Sequence, residues 1–314
     1  MKTAVILLNL GGPDSLDAIE PFLYNLFCDK DIFKLPFGQK NFAKFISKRR
    51  APKVMNQYEL LGGKSPINKW TETQRTMLES SLRDSDENID VFVGMRYWKP
   101  FISDVVSSVK GKYDKIILLP LYPHYSITTT GSSFNEWKRN YTGNNVVYIN
   151  DYCTNKNYIN AINKRIDETI LRFPEDVKND IVILFSAHGT PVSLVKKGDP
   201  YSKQITATVD AVMKARNYSH NHYLCFQSKV GPVKWLEPST DQQIIEMANQ
   251  NKNNLLIVPI SFVSDHVETL YELDIEYRHV AEKNKIGNYI MMQGLNDSEL
   301  FIDALKNIVI ENLN

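Results

Sequence analysis

Short, unbroken apolar runs recur along the 314 residues and leave few folds open. Ala4-Val5-Ile6-Leu7-Leu8, Val91-Phe92-Val93, Ile116-Ile117-Leu118-Leu119 and Ile181-Val182-Ile183-Leu184-Phe185 lack the polar alternation of a half-buried strand. They predict strands buried on both faces, as parallel sheets require. Further strands are expected at 146–149, 223–228, 255–260 and 289–292, with helical patterns at 157–172, 199–216 and up to about 312. Strand–helix alternation in both halves predicts an α/β fold of two similar Rossmann-like lobes, each a parallel sheet flanked by helices. The N-terminal lobe is expected over 1–145 and the C-terminal lobe over 146–314, with the last helix placed to pack back on the first lobe. Ligands of such folds bind in the cleft between lobes and at the carboxyl ends of strands.

One stretch changes period midway. The apolar 255–263 strand gives way at Ser264-Asp265 to a helical pattern. At about 100° per residue, Asp265, Glu268, Glu272 and Glu276 share an arc of roughly 80°, opposite Val267, Leu270, Leu273 and Tyr277. Like charges at i,i+4 weaken a helix, so a row of acids without interleaved bases calls for another explanation. It could conduct a divalent cation inward or protons outward. Alternatively, Asp265 and Glu268 form a capping-box-like pattern that complements the helix dipole, which leaves Glu272 and Glu276 unexplained. His266 neighbours this row but is expected to point about 100° away from it. His188, in Ser186-Ala187-His188-Gly189, stands where another strand ends, a position for a ligand-facing histidine.

Net charge is +1, which excludes a basic nucleic-acid binder. Three widely spaced cysteines, Cys28, Cys153 and Cys225, form neither a disulfide framework nor a Cys-x-x-Cys site and fit a reducing cytoplasm. Gly11-Gly12 turns the chain after the first strand without a dinucleotide fingerprint, and no P-loop, His-Glu-x-x-His or Gly-x-Ser-x-Gly occurs. The longest uncharged stretch, 116–135, is broken by Pro120, Pro123 and Gly131 and does not read as a membrane span. Residues 21–50 interleave Phe22, Phe27, Phe33, Phe37, Phe42 and Phe45 with Lys34, Lys40, Lys44, Lys48, Arg49 and Arg50. That mixture suits anionic lipid or a large apolar ligand.

Several motifs, in order and at family spacing, carry a resemblance over nearly the whole chain. They are Leu8-Asn9-Leu10-Gly11-Gly12-Pro13, Gly62-Gly63-Lys64-Ser65-Pro66-Ile67, Arg96-Tyr97, Tyr122-Pro123-His124-Tyr125-Ser126, Ser186-Ala187-His188, Gly198-Asp199-Pro200-Tyr201, Gln227-Ser228-Lys229-Val230-Gly231-Pro232 and the stretch from Ser264 to Asp274. The sequence resembles the ferrochelatase family, in its bacterial, protoporphyrin-using form. The resemblance implies a chelatase-type fold and insertion of Fe²⁺ into protoporphyrin IX with release of two protons, the terminal step of heme synthesis. It implies that His188 and Glu268 face the ring centre as metal ligand and proton acceptor, with Asp265, Glu272 and Glu276 continuing the acid row. It further implies porphyrin contacts from Leu10, Tyr97, Phe262, Trp235 and His266, propionate contacts from Arg50, Tyr58 and Ser65, and site positions at Arg96 and Tyr122. Segment 21–50 corresponds to the family's lip, so peripheral contact with the inner face of the membrane is expected of an otherwise cytoplasmic protein. Iron is then a substrate; no resident cofactor is expected and, with no cysteine-bearing extension before Asn314, no iron–sulfur cluster. Leu10 departs from the Met of animal relatives. Monomer and homodimer stay open, as do coproporphyrin III as substrate, a noncatalytic heme- or metal-binding protein, and a metal-dependent hydrolase, for which no third ligand is evident.

Overall fold

The computed structural model describes residues 1–84, 88–229 and 231–313. Val230, within the 227–232 motif, lies outside the described residues. The N-terminal lobe runs β1 (Thr3–Asn9), α1 (Ile19–Cys28), α2 (Gln39–Glu59), α3 (Ile67–Arg83), β2 (Ile89–Met95), α4 (Ile102–Val109), β3 (Lys115–Pro120), α5 (Ser132–Asn140) and β4 (Val146–Tyr148). The C-terminal lobe continues with α6 (Lys156–Ile170), β5 (Val182–His188), α7 (Val192–Lys196), α8 (Tyr201–Ala215), β6 (Asn221–Gln227), α9 (Thr240–Asn249), β7 (Asn254–Pro259), α10 (Tyr277–Lys283) and β8 (Asn288–Met291), after which α11 (Glu299–Glu311) ends the chain. Each lobe holds one four-stranded sheet, ordered β2-β1-β3-β4 and β6-β5-β7-β8, with every pair parallel.

The unbroken apolar runs are explained by cover on both sheet faces. All seven residues of β1 are buried. On one face Ala4, Ile6 and Leu8 meet Ile102, Val105, Val106 and Val109 of α4 and Phe134 and Trp137 of α5. In the other lobe Val182, Leu184, Leu255 and Ile257 pack with Ile244 and Met247 of α9 and with Leu273 and Ala281. Truncating such a side chain, as in Ile257→Ala, costs about 2–5 kcal/mol.

The division between lobes differs from the expected one. Val146–Tyr148 pairs with β3 rather than opening the second sheet. The first compact unit therefore runs to Asp151 and regains the chain from Phe301, while Tyr152–Leu300 forms the second. The apolar 146–149 run shows no partner in sequence, so it read as the start of the second half. The last helix joins the first lobe as expected, and Lys115 Nζ caps its end by donating to the carbonyls of Asn312 (3.3 Å) and Leu313 (2.6 Å).

Two segments wind as π-helix, Ile127–Gly131 after β3 and Glu268–Glu276 after β7. Their i→i+5 bonding gives a wider turn than an α-helix. Among the described residues no helix is long and apolar enough to cross a membrane. Segment 21–50 comprises α1, a connecting loop and the first half of α2, and it leaves Phe37 91% and Phe45 64% exposed.

Candidate functional site

His188 is the last residue of β5, so the sheet fixes its backbone and aims its side chain off the strand's carboxyl end. Its N–H donates to Ser261 Oγ at 2.9 Å, and Tyr201 donates its hydroxyl to the His188 carbonyl at 2.9 Å. The next residue has to be glycine: a Cβ on Gly189 would stand 2.7 Å from the Gln227 carbonyl oxygen. Pro191 pairs with Trp235 in an antiparallel bridge, which folds the 231–236 loop beside this strand end.

The imidazole meets Glu268, with Nδ1 3.0 Å from Oε2. Both side chains stay about one-third exposed, at 36% and 35%. His266 reaches the same carboxylate oxygen, Nε2 lying 3.6 Å from Oε2. The His266 Nδ1 is 3.0 Å from the Ser264 carbonyl, which can only accept, so that nitrogen carries the hydrogen and Nε2 faces the carboxylate. Phe262 lies edge-on to both histidines, its ring centroid 6.1 Å from His188 and 4.4 Å from His266.

Charges in this cluster support one another. Burial opposes the His188 imidazolium, but the charge and hydrogen bond of Glu268, with Glu272 behind, hold its pKa above the ordinary histidine value. Burial likewise opposes the Glu268 carboxylate, yet His188 and then His266 hold it far below the usual carboxylate range. An imidazolium–carboxylate pair therefore sits at a strand end, open on one side. Such a pair can give up a proton to make room for a metal ion, or take one from a ligand.

The acid row needs correction. Asp265 precedes the helix, whose first turn begins at Val267 without a side-chain cap. Its carboxylate is buried and accepts bonds from Asn296 Nδ2 (2.7 Å), Thr269 Oγ1 (3.1 Å) and Gly294 N (3.2 Å). Asp265 is thus a pin between two loops. Through Thr269, which accepts the His266 N–H at 3.0 Å, it steadies His266. The expectation that His266 points away also fails, since residues 265 and 266 lie before the helix and do not follow its angular step.

Glu272 is a different kind of acid. Oε1 accepts from Ser228 N (2.7 Å) and the Tyr277 hydroxyl (3.0 Å); Oε2 accepts from Gln227 Nε2 (3.1 Å) and Ser228 Oγ. Burial and the Glu268 charge nonetheless raise its pKa against those donors. Gln227 Nε2 also donates to the Glu268 carbonyl at 3.0 Å and so ties the two acid positions together. Glu276 is exposed, so the row of Glu268, Glu272 and Glu276 runs from the histidine cluster to solvent. Sequence reasoning missed the supporting roles of Tyr201, Ser261, Ser228, Tyr277 and Asn296. Ser228 carried a signal, as a hydroxyl at the carboxyl end of a strand.

The remaining expected positions belong to the N-terminal lobe, Trp235 apart. Leu10 and Tyr97 are joined by a backbone bond from Tyr97 N to Leu10 O (2.9 Å). Tyr58, Ser65 and Tyr97 are buried. Arg50 lies over the Phe27 ring, 5.7 Å from its centroid. Arg96 is paired with the buried Asp29 at 3.1 Å, and burial raises the pKa of the Tyr122 hydroxyl. An open groove of about 570 Å³ along β2, lined by Glu72, Arg75, Glu79, Asp90 and Tyr113 among others, holds none of the expected residues. Glu72, Glu79 and Asp90 there are paired with Arg75, Arg83 and Lys2. Among the described residues no three His, Cys, Asp or Glu side chains are grouped to hold a metal ion.

The ferrochelatase family profile matches residues 2–313. Relatives named ferrochelatase from Geotalea daltonii and Aquifex aeolicus are 44% and 46% identical over 98% of this chain and 97% and 99% of their own. Ferrochelatase-1, chloroplastic/mitochondrial, of Arabidopsis thaliana is 42% identical over 99% of this chain and 70% of its own. Among solved structures, SirB from Bacillus subtilis with Fe³⁺ superposes with a TM-score of 0.58 at 12% identity, covering 99% of this chain and 95% of that one. CbiX, the terminal enzyme of siroheme biosynthesis in denitrifying bacteria, gives 0.55 at 8%, each chain fully covered. At those identities the structural likeness speaks to the fold alone, a two-lobed α/β chelatase fold.

Proposed function

The chain belongs to the ferrochelatase family, and from that premise we propose that it inserts Fe²⁺ into protoporphyrin IX, releasing two protons and giving protoheme. Insertion of a metal ion into a porphyrin, in heme synthesis, is the activity of the family and makes this chain an enzyme. The choice of porphyrin and of ferrous iron is our reading.

One observation carries the reading: the His188 imidazole at the end of β5 bonded to the Glu268 carboxylate, with His266 beside the same oxygen and a second acid behind it. A neutral porphyrin has two N–H groups, and both protons must leave as the dication enters. His188, once neutral, offers a ring nitrogen to iron or to a pyrrole proton. Glu268 then passes protons on, and Glu272 and Glu276 continue the route to water. Two donors rather than a closed cage suit a metal that must be handed over. Iron enters here as substrate, and the reading invokes no resident cofactor.

Phe262, Trp235 and His266 would meet the macrocycle, with Leu10, Arg96, Tyr97 and Tyr122 as further contacts and Arg50, Tyr58 and Ser65 toward the propionates. Guanidinium and hydroxyl donors suit carboxylates. Exposed Leu35, Phe37 and Phe45 beside Lys34, Lys40, Lys44, Lys48 and Arg49 suit contact with an anionic membrane surface. Such contact would give an apolar substrate and product a direct route.

Visible spectra of the purified protein, mixed anaerobically with Fe²⁺ and either protoporphyrin IX or coproporphyrin III, test this. Rapid conversion of protoporphyrin to the metalloporphyrin spectrum is expected. Conversion of coproporphyrin alone would overturn the assigned substrate, and a bound but unmetallated porphyrin in both cuvettes would overturn the reaction.

A further inference from the structure

We propose that Asp29 is a positioning residue for the porphyrin-facing part of the N-terminal lobe, fixing Tyr97 and Arg96 and tying them to the root of the exposed lip. The inference rests on the proposed contact of Tyr97 with the macrocycle. Asp29 stands at the C-terminal cap of α1, where the lip segment leaves the helix, and its side chain is fully buried. Four donors meet it, from its own neighbour Asp31, from the adjacent Arg96 and Tyr97, and from Ser132. Oδ2 accepts the Tyr97 hydroxyl at 2.7 Å and Ser132 Oγ at 2.5 Å; Oδ1 accepts Arg96 Nη2 at 3.1 Å and the Asp31 N–H at 2.9 Å.

The partners also hold one another. Arg96 Nε donates to Ser132 Oγ at 2.8 Å, and its guanidinium lies 5.2 Å from the Tyr97 ring centroid. Asn25 of α1 donates to the Tyr97 carbonyl at 3.0 Å. Beyond Asp29, Asp31 pairs with Arg139 (2.7 Å) and accepts from Asn135 (3.0 Å), which fastens the loop after α1 to α5. The Tyr97 phenol is thereby engaged inside the lobe, where the residue is only 4% exposed, and Asp29 fixes where that small exposed part lies.

Burying an ion pair adds little stability compared with an apolar core of the same volume, whereas its directional bonds fix geometry closely. The bonds from Tyr97 and Arg96 to Asp29, with Ser132 bridging Arg96 to the same carboxylate, hold both side chains in place. A macrocycle that meets the exposed parts of Tyr97 and Arg96 finds a surface already in place, so less order has to be imposed on binding.

Tyr97→Phe removes one bond and keeps the ion pair; Asp29→Asn removes the charge. Each variant and the double variant should be measured for protoporphyrin KM, metal KM, kcat and melting temperature. Tyr97→Phe should raise porphyrin KM about tenfold, the value of one hydrogen bond to a charged group, and Asp29→Asn at least as much. The double variant should be no worse than Asp29→Asn, because one anchor serves both, and metal KM should move less than about twofold throughout. A purely structural role would lower the melting temperature and leave porphyrin KM within about twofold, which overturns the proposal, as would losses that multiply in the double variant. Should Asp29→Asn fail to fold, Tyr97→Phe with an unaltered porphyrin KM overturns it alone. If the unaltered protein does not metallate protoporphyrin, the functional reading fails. Porphyrin dissociation constants from fluorescence quenching then test Asp29 independently, with the same expectations.

Discussion

The two lobes share a strand order and a local peculiarity. In each, the third strand of the chain order leads through a loop into a π-helical segment, Ile127–Gly131 in one and Glu268–Glu276 in the other. The N-terminal segment and its continuation carry Thr128, Thr129, Thr130, Ser132 and Ser133; the C-terminal one carries Glu268, Glu272 and Glu276. The first strands of the two sheets contrast in the same way. β1 ends on Asn9, buried, with Nδ2 donating to Thr71 Oγ1 at 2.9 Å; β5 ends on His188, about one-third exposed and facing Glu268. The Asp29–Arg96 pair of the first lobe is buried inside it. The His188–Glu268 pair of the second stays about one-third exposed. On the proposed reading, one scaffold serves positioning in one lobe and proton and metal chemistry in the other, and the difference lies in which side chains the strand ends present.

The largest expected effect breaks this contrast at His188. His188→Ala should lower metallation by about 10²–10⁴-fold, the range of a lost general base, while porphyrin still binds. Asn9→Ala, at the matching place in the other lobe, should instead cost about 1–3 kcal/mol of stability and far less turnover. Comparable turnover in the two variants, measured per folded molecule, would dissolve the distinction between lobes. Next in size is Glu272→Gln. Four donors hold that carboxylate, and the amide can accept only part of them, so metallation should slow about tenfold with a smaller change in porphyrin affinity. Equal losses in both would remove Glu272 from the metal or proton route.

A smaller, graded effect follows from the His188–Glu268 pair. The pKa of His188 is raised on folding, so its contribution to stability is complete below the unfolded histidine value of about 6.5 and is lost as pH rises through the raised value. Glu268 is depressed, so its contribution is present above about 4.5 and is lost only in strong acid. The pair is most stabilising between those values. Raising the pH from 6 to 9 should lower the melting temperature of the protein more than that of Glu268→Gln. Metal affinity runs the other way, since an imidazolium must lose its proton to bind iron, and should rise about tenfold per pH unit below the His188 pKa. In Glu268→Gln that rise should shift to lower pH; an unmoved midpoint would detach His188 from Glu268.

Much of the fold was legible because burial on both faces leaves an unmistakable mark. Seven consecutive buried residues, as in β1, cannot alternate. The short β4 was misassigned because its apolar residues do not reveal that β3 is their partner. In the site, His188 and Glu268 were legible from strand ends and charge spacing, together with the family motifs. The angular arithmetic went wrong at Asp265, since a step of about 100° presumes a helix that has already begun. The partners that make Asp265 a pin, Gly294 and Asn296, lie 29 and 31 residues further on and leave no local trace. Asp29 was invisible for the same reason: it is 68 residues from Tyr97 and 103 from Ser132.

The smallest effect sharpens the contrast within the C-terminal lobe itself. Glu268 is bonded by the His188 imidazole and Glu272 by four donors, whereas Glu276 stands exposed at the outer end of the row. An exposed carboxylate in water attracts a cation weakly and is screened by salt within about 8–10 Å. Glu276→Gln should therefore change metallation by less than about twofold at ionic strengths near 0.15 M. At low salt its charge reaches further and the loss should grow, because what it supplies is attraction rather than a bond. The metal KM of Glu276→Gln at two ionic strengths checks this. A tenfold loss independent of salt would make Glu276 a ligand in its own right and extend the chemical part of the row to the surface.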